Sequence, residues 1–309
     1  MRRAGYAVTA GACAAGAARL AYSAMSRRPP GGPKTWSRTN HRGEPVTLLE
    51  GPAVAAGALA GVLAQAGLTQ AGLVPALGSP GWRRAAAMVL GGAGAAAFGA
   101  HDDLAGTGDR RGFRGHLGAL RQGEVTTGAV KLGGIGVTGV VSAGLAGGSP
   151  VDVIVNAGLV AGSANLLNLF DLRPGRAIKV AAASGVLLGA AGQDSVAAPL
   201  GAALALLPED LGERAMLGDA GANALGAMLG ASAAGLSRPV RIALLAGIAG
   251  LTAASEKVSF TKVIARTPAL NWLDMLGRRP APQTEPSGTA PPSPQSLVTI
   301  PAQRPESGG

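Results

Sequence analysis

The chain is short of cysteine, histidine, aromatic residues and charge. Of its 309 residues one is cysteine and three are histidine, while 3% are aromatic and 14% charged. A lone Cys13 excludes an intrachain disulfide framework. The histidines, His41, His101 and His116, lack metal-ligand spacing, so no zinc site is indicated, and no Ser/His/Asp order suggests a hydrolase triad. Ordinary soluble domains are about 25% charged. A chain that is 47% apolar, with a mean hydropathy of +0.29, stands outside that class. The net charge of +10 is not accompanied by basic clusters interleaved with aromatics, which argues against a nucleic-acid surface. In a membrane protein the same excess belongs in cytoplasmic loops facing anionic lipid.

Small apolar residues fill the chain instead, 50 of them glycine. Small side chains let membrane helices approach closely. Apolar stretches at about 4–24, 51–72, 83–100, 128–146, 151–168, 177–191, 195–207, 220–236 and 239–255 predict an all-α, polytopic membrane bundle of about nine transmembrane helices. Residues 1–24 read as a retained first helix, with a cleaved signal peptide as the alternative. Residues 1–279 form the expected transmembrane domain. Residues 280–309, rich in Pro and Ser, read as a disordered cytoplasmic tail.

Alternating the loops across the membrane gathers most Lys and Arg on one side, in segments 25–50, 101–127, 165–179, 208–219 and 256–280. That side is expected to be cytoplasmic, with the N-terminus outside and the C-terminus inside. Arg2 and Arg3 violate this assignment. Acidic residues do not set topology, yet Asp102, Asp103, Asp171 and Asp219 all fall on the same face, at the ends of different helices.

Three motifs stand at that face. His101-Asp102-Asp103 pairs two carboxylates at a membrane boundary, where holding them together calls for a cation or a shared proton unless they simply start a solvated loop. Asn165, Asn168 and Asp171, at three-residue steps, form one polar flank at a helix end that suits a polar ligand or hydrated metal; interhelical hydrogen bonding is the structural alternative. In Met216-Leu217-Gly218-Asp219-Ala220-Gly221-Ala222-Asn223, the glycines permit close backbone approach and Asp219 is either a metal ligand or a helix N-cap. By contrast, Gly134-Ile135-Gly136-Val137-Thr138-Gly139 matches a dinucleotide fingerprint in letters only, since it lies inside an apolar span with no preceding strand.

Taken in order, the DD pair, NxxNxxD and GD elements resemble the polyprenyl-phosphate N-acetylhexosamine-1-phosphate transferase superfamily, glycosyltransferase family 4, over about residues 36–279. The resemblance implies transfer of a sugar 1-phosphate from a nucleotide sugar, UDP-linked in the family, to a membrane polyprenyl phosphate. It implies Mg²⁺, with Mn²⁺ as a substitute, and a site on the cytoplasmic face of the cell membrane in cell-wall or surface glycan synthesis. By position, Asp102, Asp103 and Asp171 match catalytic acids, and Asp219 and Asp171 the metal-binding ones. Asn165, Asn168, Lys131, Arg42 and His116 are the candidates for substrate binding, Arg42 lying in an early loop, Asn40 to Thr47, that is similar to the family's first cytoplasmic loop. A homodimer is compatible with the resemblance, and no nucleic-acid partner is expected.

The sequence also departs from the family. Asp171 is followed by Leu172-Arg173-Pro174-Gly175-Arg176 where relatives continue DGLDG, no histidine follows His116, and no final helix follows the last basic loop. These differences fall on donor recognition. They leave two alternatives: a catalytically weak relative that binds polyprenyl phosphate or nucleotide sugar as a regulator, and a transporter. A transporter is disfavoured because its ionisable groups belong near mid-membrane.

Overall fold

The computed structural model describes residues 2–69, 80–106 and 112–280, without side chains for residues 2–4, 69, 80, 112–114, 116 and 117. The compact unit spans Met1–Arg279. The tail expected at 280–309 lies outside the described residues beyond residue 280.

The described chain is mainly helical. It opens with α1 (Arg2–Arg27), a short α2 (Pro33–Trp36), strands β1 (Ser37–Thr39) and β2 (Pro45–Thr47), and α3 (Glu50–Thr69). Then come α4 (Pro80–Ala105), α5 (Gly112–Arg121), α6 (Thr127–Ala146), α7 (Pro150–Phe170) and α8 (Arg176–Ala190). The last five are α9 (Ala197–Leu211), α10 (Gly218–Ala233), α11 (Arg238–Ser255), α12 (Phe260–Arg266) and α13 (Pro268–Met275). Each of the nine apolar stretches read from the sequence overlaps one of these helices, residues 70–72 of the second lying outside the described residues. By length and composition, α3, α6 and α7 are able to cross a membrane; α11 and α12, bent by 94° at their junction, make a fourth if taken as one span.

Local chemistry sets the helix starts. Ser149 and Asp152 form a reciprocal capping box at α7, with Pro150 at the first helical position. Thr126 caps α6 by accepting the Ala129 N–H at 3.1 Å. Besides the nine stretches, segments that read as loops carry the short helices α2, α12 and α13, and two further features, a hairpin and α5. β1 and β2 pair antiparallel, Arg38 opposite Val46, with strands too short to show a period. α5 lies in what reads as a polar loop.

The core is organised around α10, where all but Asp219 and Ala231 of 16 residues are buried. It packs against α3, α4 and α7, while α1 covers α3 and α9. Small side chains make this possible: a Cβ at Gly226 would run into the Ser163 carbonyl of α7. Leu225, Met228, Leu206 and Ile178 fill the remaining space. A helix buried on every side is held by contacts in all directions, so both of its ends are fixed in place. The end that begins at Gly218 carries the carboxylates described next.

Candidate active site

Four carboxylates and a lysine meet where α4 ends and α10 begins. α10 has no side-chain cap of its own, since its N-cap position is Leu217. Asp103, from the last turn of α4, supplies the cap across the helix boundary: its carboxylate accepts the N–H of Asp219 at 3.1 Å and of Ala220 at 2.9 Å. Gly218 makes the approach possible. Its φ is +61°, and a Cβ there would stand 3.1 Å from an Asp103 oxygen and 2.8 Å from Leu48. Asp219 is therefore not the N-cap; it is the second residue of α10, and its carboxylate is free to point elsewhere.

It points at Lys131. The ammonium on the first turns of α6 pairs with Asp102 at 2.7 Å and also with Asp219. Side-chain exposure at this triad is 13% for Lys131, 17% for Asp102 and 24% for Asp219, so the ions are partly shielded from water. The adjacent pair read from the sequence thus divides its labour. Asp102 binds the lysine, and Asp103 binds the backbone of α10.

Asp171 closes the far side. It is the C-cap of α7, just past the span, and accepts the Gly218 N–H. Burial pushes its carboxyl well above the ordinary range, and the nearby charges of Asp210, Asp219 and Asp103 push it the same way. Asn165 and Asn168 stand half-buried on the last turns of α7 leading to it, and their side chains have no hydrogen-bond partner among the described residues. They are available to a ligand.

The rim comes from the first loop, the turn after Asp171 and the C-terminal helices. Thr47 ties β2 to the strand-like segment ahead of α10, donating to the Arg214 carbonyl at 3.4 Å and accepting the Met216 N–H at 2.9 Å. Arg42 donates to Glu213 at 2.8 Å and to the Arg279 carbonyl at 2.9 Å. Arg38 of β1 reaches the end of α4, its guanidinium donating to the main-chain carbonyl of Asp103. Burial lowers the His41 imidazole, and Glu213 opposes that shift. His116 lies on α5, but its side chain is outside the described residues.

The two arginines of the altered turn play different parts. Arg176, 4% exposed, grips Asp274 of α13 with two bonds of 2.7 and 2.9 Å and also reaches Thr261 at 2.9 Å. Arg278 adds a third bond to Asp274 at 2.7 Å and reaches the Pro174 carbonyl at 2.9 Å. Phe170 and Phe260 stack with ring centroids 4.9 Å apart. Burial by itself would raise the Asp274 carboxyl, but Arg176, Arg278 and Lys179 hold it below the usual range. Arg176 is thus a clamp on the chain, while the Arg173 guanidinium, among the described residues, bonds only to the carbonyl of Leu172 at 3.1 Å.

Two acids escaped the sequence reading. Glu50 is wholly buried with neither carboxylate oxygen bonded, and Asp210 is 3% exposed with one oxygen unbonded. Their only signal is position, an acid in the first turn of α3 and one in the last turn of α9, which also describes ordinary helix-end charges. At the other end of α7, a cavity of about 440 Å³ is lined by Asp152, Asn156, Gln65 and Arg241, away from the acid cluster.

A divalent cation suits the donor set in kind. All the candidate groups are hard carboxylate oxygens; Lys131 pairs with Asp102 and Asp219, and Asp171 stands near the charges of Asp210, Asp219 and Asp103. No three acidic, histidine or cysteine side chains converge as a ready cage among the described residues. An ion such as Mg²⁺, which takes one or two carboxylates and completes its shell with water and phosphate, fits that arrangement. No family model matches the chain, and no curated protein matches it.

Proposed function

We propose that the protein is a membrane transferase that moves a sugar 1-phosphate from a nucleotide sugar to a polyprenyl phosphate. An oxygen of the lipid phosphate attacks the sugar-linked phosphorus, and the bond to the nucleoside monophosphate breaks. The observation that carries this reading is the convergence of Asp102, Asp103, Lys131, Asp171 and Asp219, contributed by α4, α6, α10 and the end of α7. Phosphoryl transfer asks mainly for positioning and charge neutralisation, which a ring of acids around one lysine is suited to supply. The motif resemblance adds its support.

In this reading α1, α3, α4 and α6 to α11 cross the membrane nine times, with the N-terminus outside and the acids at the cytoplasmic face. Lys131 releases one carboxylate to take a phosphate oxygen. Asp103 keeps α10 in register, Asp102 holds the lysine, and Asn165 and Asn168 offer amides to the donor. Mg²⁺ held by Asp219 and Asp171 would supply neutralisation of the donor diphosphate. Arg173, bonded to no acid among the described residues, stands where relatives carry an acidic recognition element and favours a donor with an additional anionic group.

One observation favours a second reading. Lys131 already satisfies both Asp102 and Asp219, so a relative that binds nucleotide sugar without turning it over is consistent with the same geometry. Purified protein incubated with Mg²⁺, undecaprenyl or decaprenyl phosphate and a panel of nucleotide sugars separates the two. Nucleoside monophosphate and a lipid diphosphate sugar are expected. Saturable donor binding with no product from any donor would establish the second reading, and neither binding nor product would remove both.

A further inference from the structure

α13 is inside out for a helix in water. Its buried residue is Asp274, whereas Leu270, Trp272, Leu273 and Met275 are exposed, as is Leu276 just beyond it. Trp272 keeps 65% of its surface open. Loose attachment does not account for this, because the polar edge is firmly engaged. Arg176 and Arg278 hold the Asp274 carboxylate, and Lys179 donates to the carbonyls of Leu273, Asp274 and Leu276 at 3.0, 2.8 and 2.6 Å. These bonds turn the polar edge inward and the apolar edge out.

The neighbouring segment continues the pattern. Val258 and Val263 are exposed, and α12 leaves α11 through a 94° bend, so it runs across the direction of a membrane-length helix. From residue 256 to residue 275 the exposed charged residues are Glu256, Lys257, Lys262 and Arg266, while Asp274 is buried in its arginine pairs, so the exposed surface carries net positive charge. Exposed tryptophan and aliphatics combined with net positive charge describe a helix lying in the headgroup layer. A second copy of the chain is a poorer occupant, because pairing this surface with itself would bring like charges together.

We propose that α12 and α13 form an interfacial platform resting on an anionic phospholipid surface, with Trp272 and Leu276 at the acyl boundary and Lys257, Lys262 and Arg266 on lipid phosphates. The platform rests on the reading of α11 as membrane-crossing and is independent of transferase activity. Its partner is the bilayer itself, beside the rim of the acid cluster.

The test uses the full chain with Cys13→Ser and a single spin-labelled cysteine from Trp272→Cys, Leu276→Cys or, as a loop control, Gln122→Cys. Each is reconstituted in phosphatidylcholine vesicles with and without phosphatidylglycerol. Labels at 272 and 276 are expected to collide with oxygen more than with a water-soluble nickel chelate, and the control to do the reverse. Phosphatidylglycerol should deepen the two labels, and Lys257→Gln, Lys262→Gln and Arg266→Gln together should abolish that dependence. Nickel accessibility at 272 and 276 equal to the control overturns the proposal, as does immobilisation with neither reagent reaching them, which signals a protein occupant. Depth that ignores phosphatidylglycerol overturns the anionic partner.

Discussion

Removing the ammonium of Lys131 is the most direct perturbation of the acid cluster. Lys131→Met keeps most of the side-chain length but leaves Asp102 and Asp219 facing each other without their shared cation. Breaking a fully buried pair by removing one partner costs about 3–5 kcal/mol. The three side chains here are 13–24% exposed, and water reaches the orphaned carboxylates, so a loss of about 1–3 kcal/mol is expected. At about 2–4 °C per kcal/mol this lowers the melting temperature in detergent by roughly 2–12 °C. High salt should recover little of it, because partly buried charges are weakly screened. Adding Asp219→Asn to Lys131→Met removes one of the two repelling charges and should restore part of the loss, so the two substitutions couple rather than add. The readout is a thermal melt of each variant followed by intrinsic fluorescence, with nucleotide-sugar turnover measured in parallel. A single mutant that melts with the wild type, or a double mutant as unstable as the sum of its parts, would refute the triad as an energetic unit.

Other expectations follow from the same geometry. Asp103→Ala deletes the cap of α10 and should cost about 1–2 kcal/mol, with Asp103→Asn costing less because one acceptor survives; melts of the two variants check the order. Gly218→Ala forces a side chain into the left-handed region against Leu48 and Asp103, and should destabilise by at least about 1–2 kcal/mol in a denaturation series; an unchanged melt would show that the backbone there relaxes freely. Asp274→Asn should loosen the C-terminal helices. Because the folded Asp274 carboxyl lies below its unfolded value, its contribution is complete above about pH 4–5 and is lost as pH falls through the folded value. The gap in melting temperature between wild type and Asp274→Asn should therefore stay constant near neutrality and close only in acid, and a gap that closes on raising the pH contradicts the clamp.

Much of the fold was legible because apolar runs in a chain of small residues have few structures open to them. The nine runs fall on helices, though 195–207 stops short of Asp210, which α9 buries in its last turn. The charges at 209 and 210 look like the start of a loop, and only packing shows otherwise. The hairpin of β1 and β2 was missed because strands of three residues carry too little periodicity to read, whereas in α5 Phe113, Leu117 and Leu120 do recur at helical steps and were hidden by the glycines and arginines that made the segment read as a loop.

The site was legible at the level of residue type and less so at the level of role. Asp102, Asp103, Asp171, Asp219 and Lys131 were marked by acids and a lysine at helix ends, and they do come together. That Asp103 caps a helix while Asp102 holds a lysine depends on which way two adjacent side chains turn, and residue spacing does not record it. Arg42 read as the basic residue of the first loop; that it bonds Glu213 while Arg38 bonds the main chain at Asp103 is set by long-range packing that residue spacing does not record. Arg176 read as a change in ligand recognition, whereas its partner Asp274 lies 98 residues away, and no local pattern announces a contact of that range.

The same separation gives the clamp a meaning in time. A ribosome delivers Arg176 with its guanidinium destined for a nearly dry setting, and 98 further residues must be made before the carboxylate that balances it exists. Until then Arg176 has no Asp274 to pair with. Only a chain made through Asp274 can form the pair, so the turn after Asp171 takes its final contacts late, once the last helices exist.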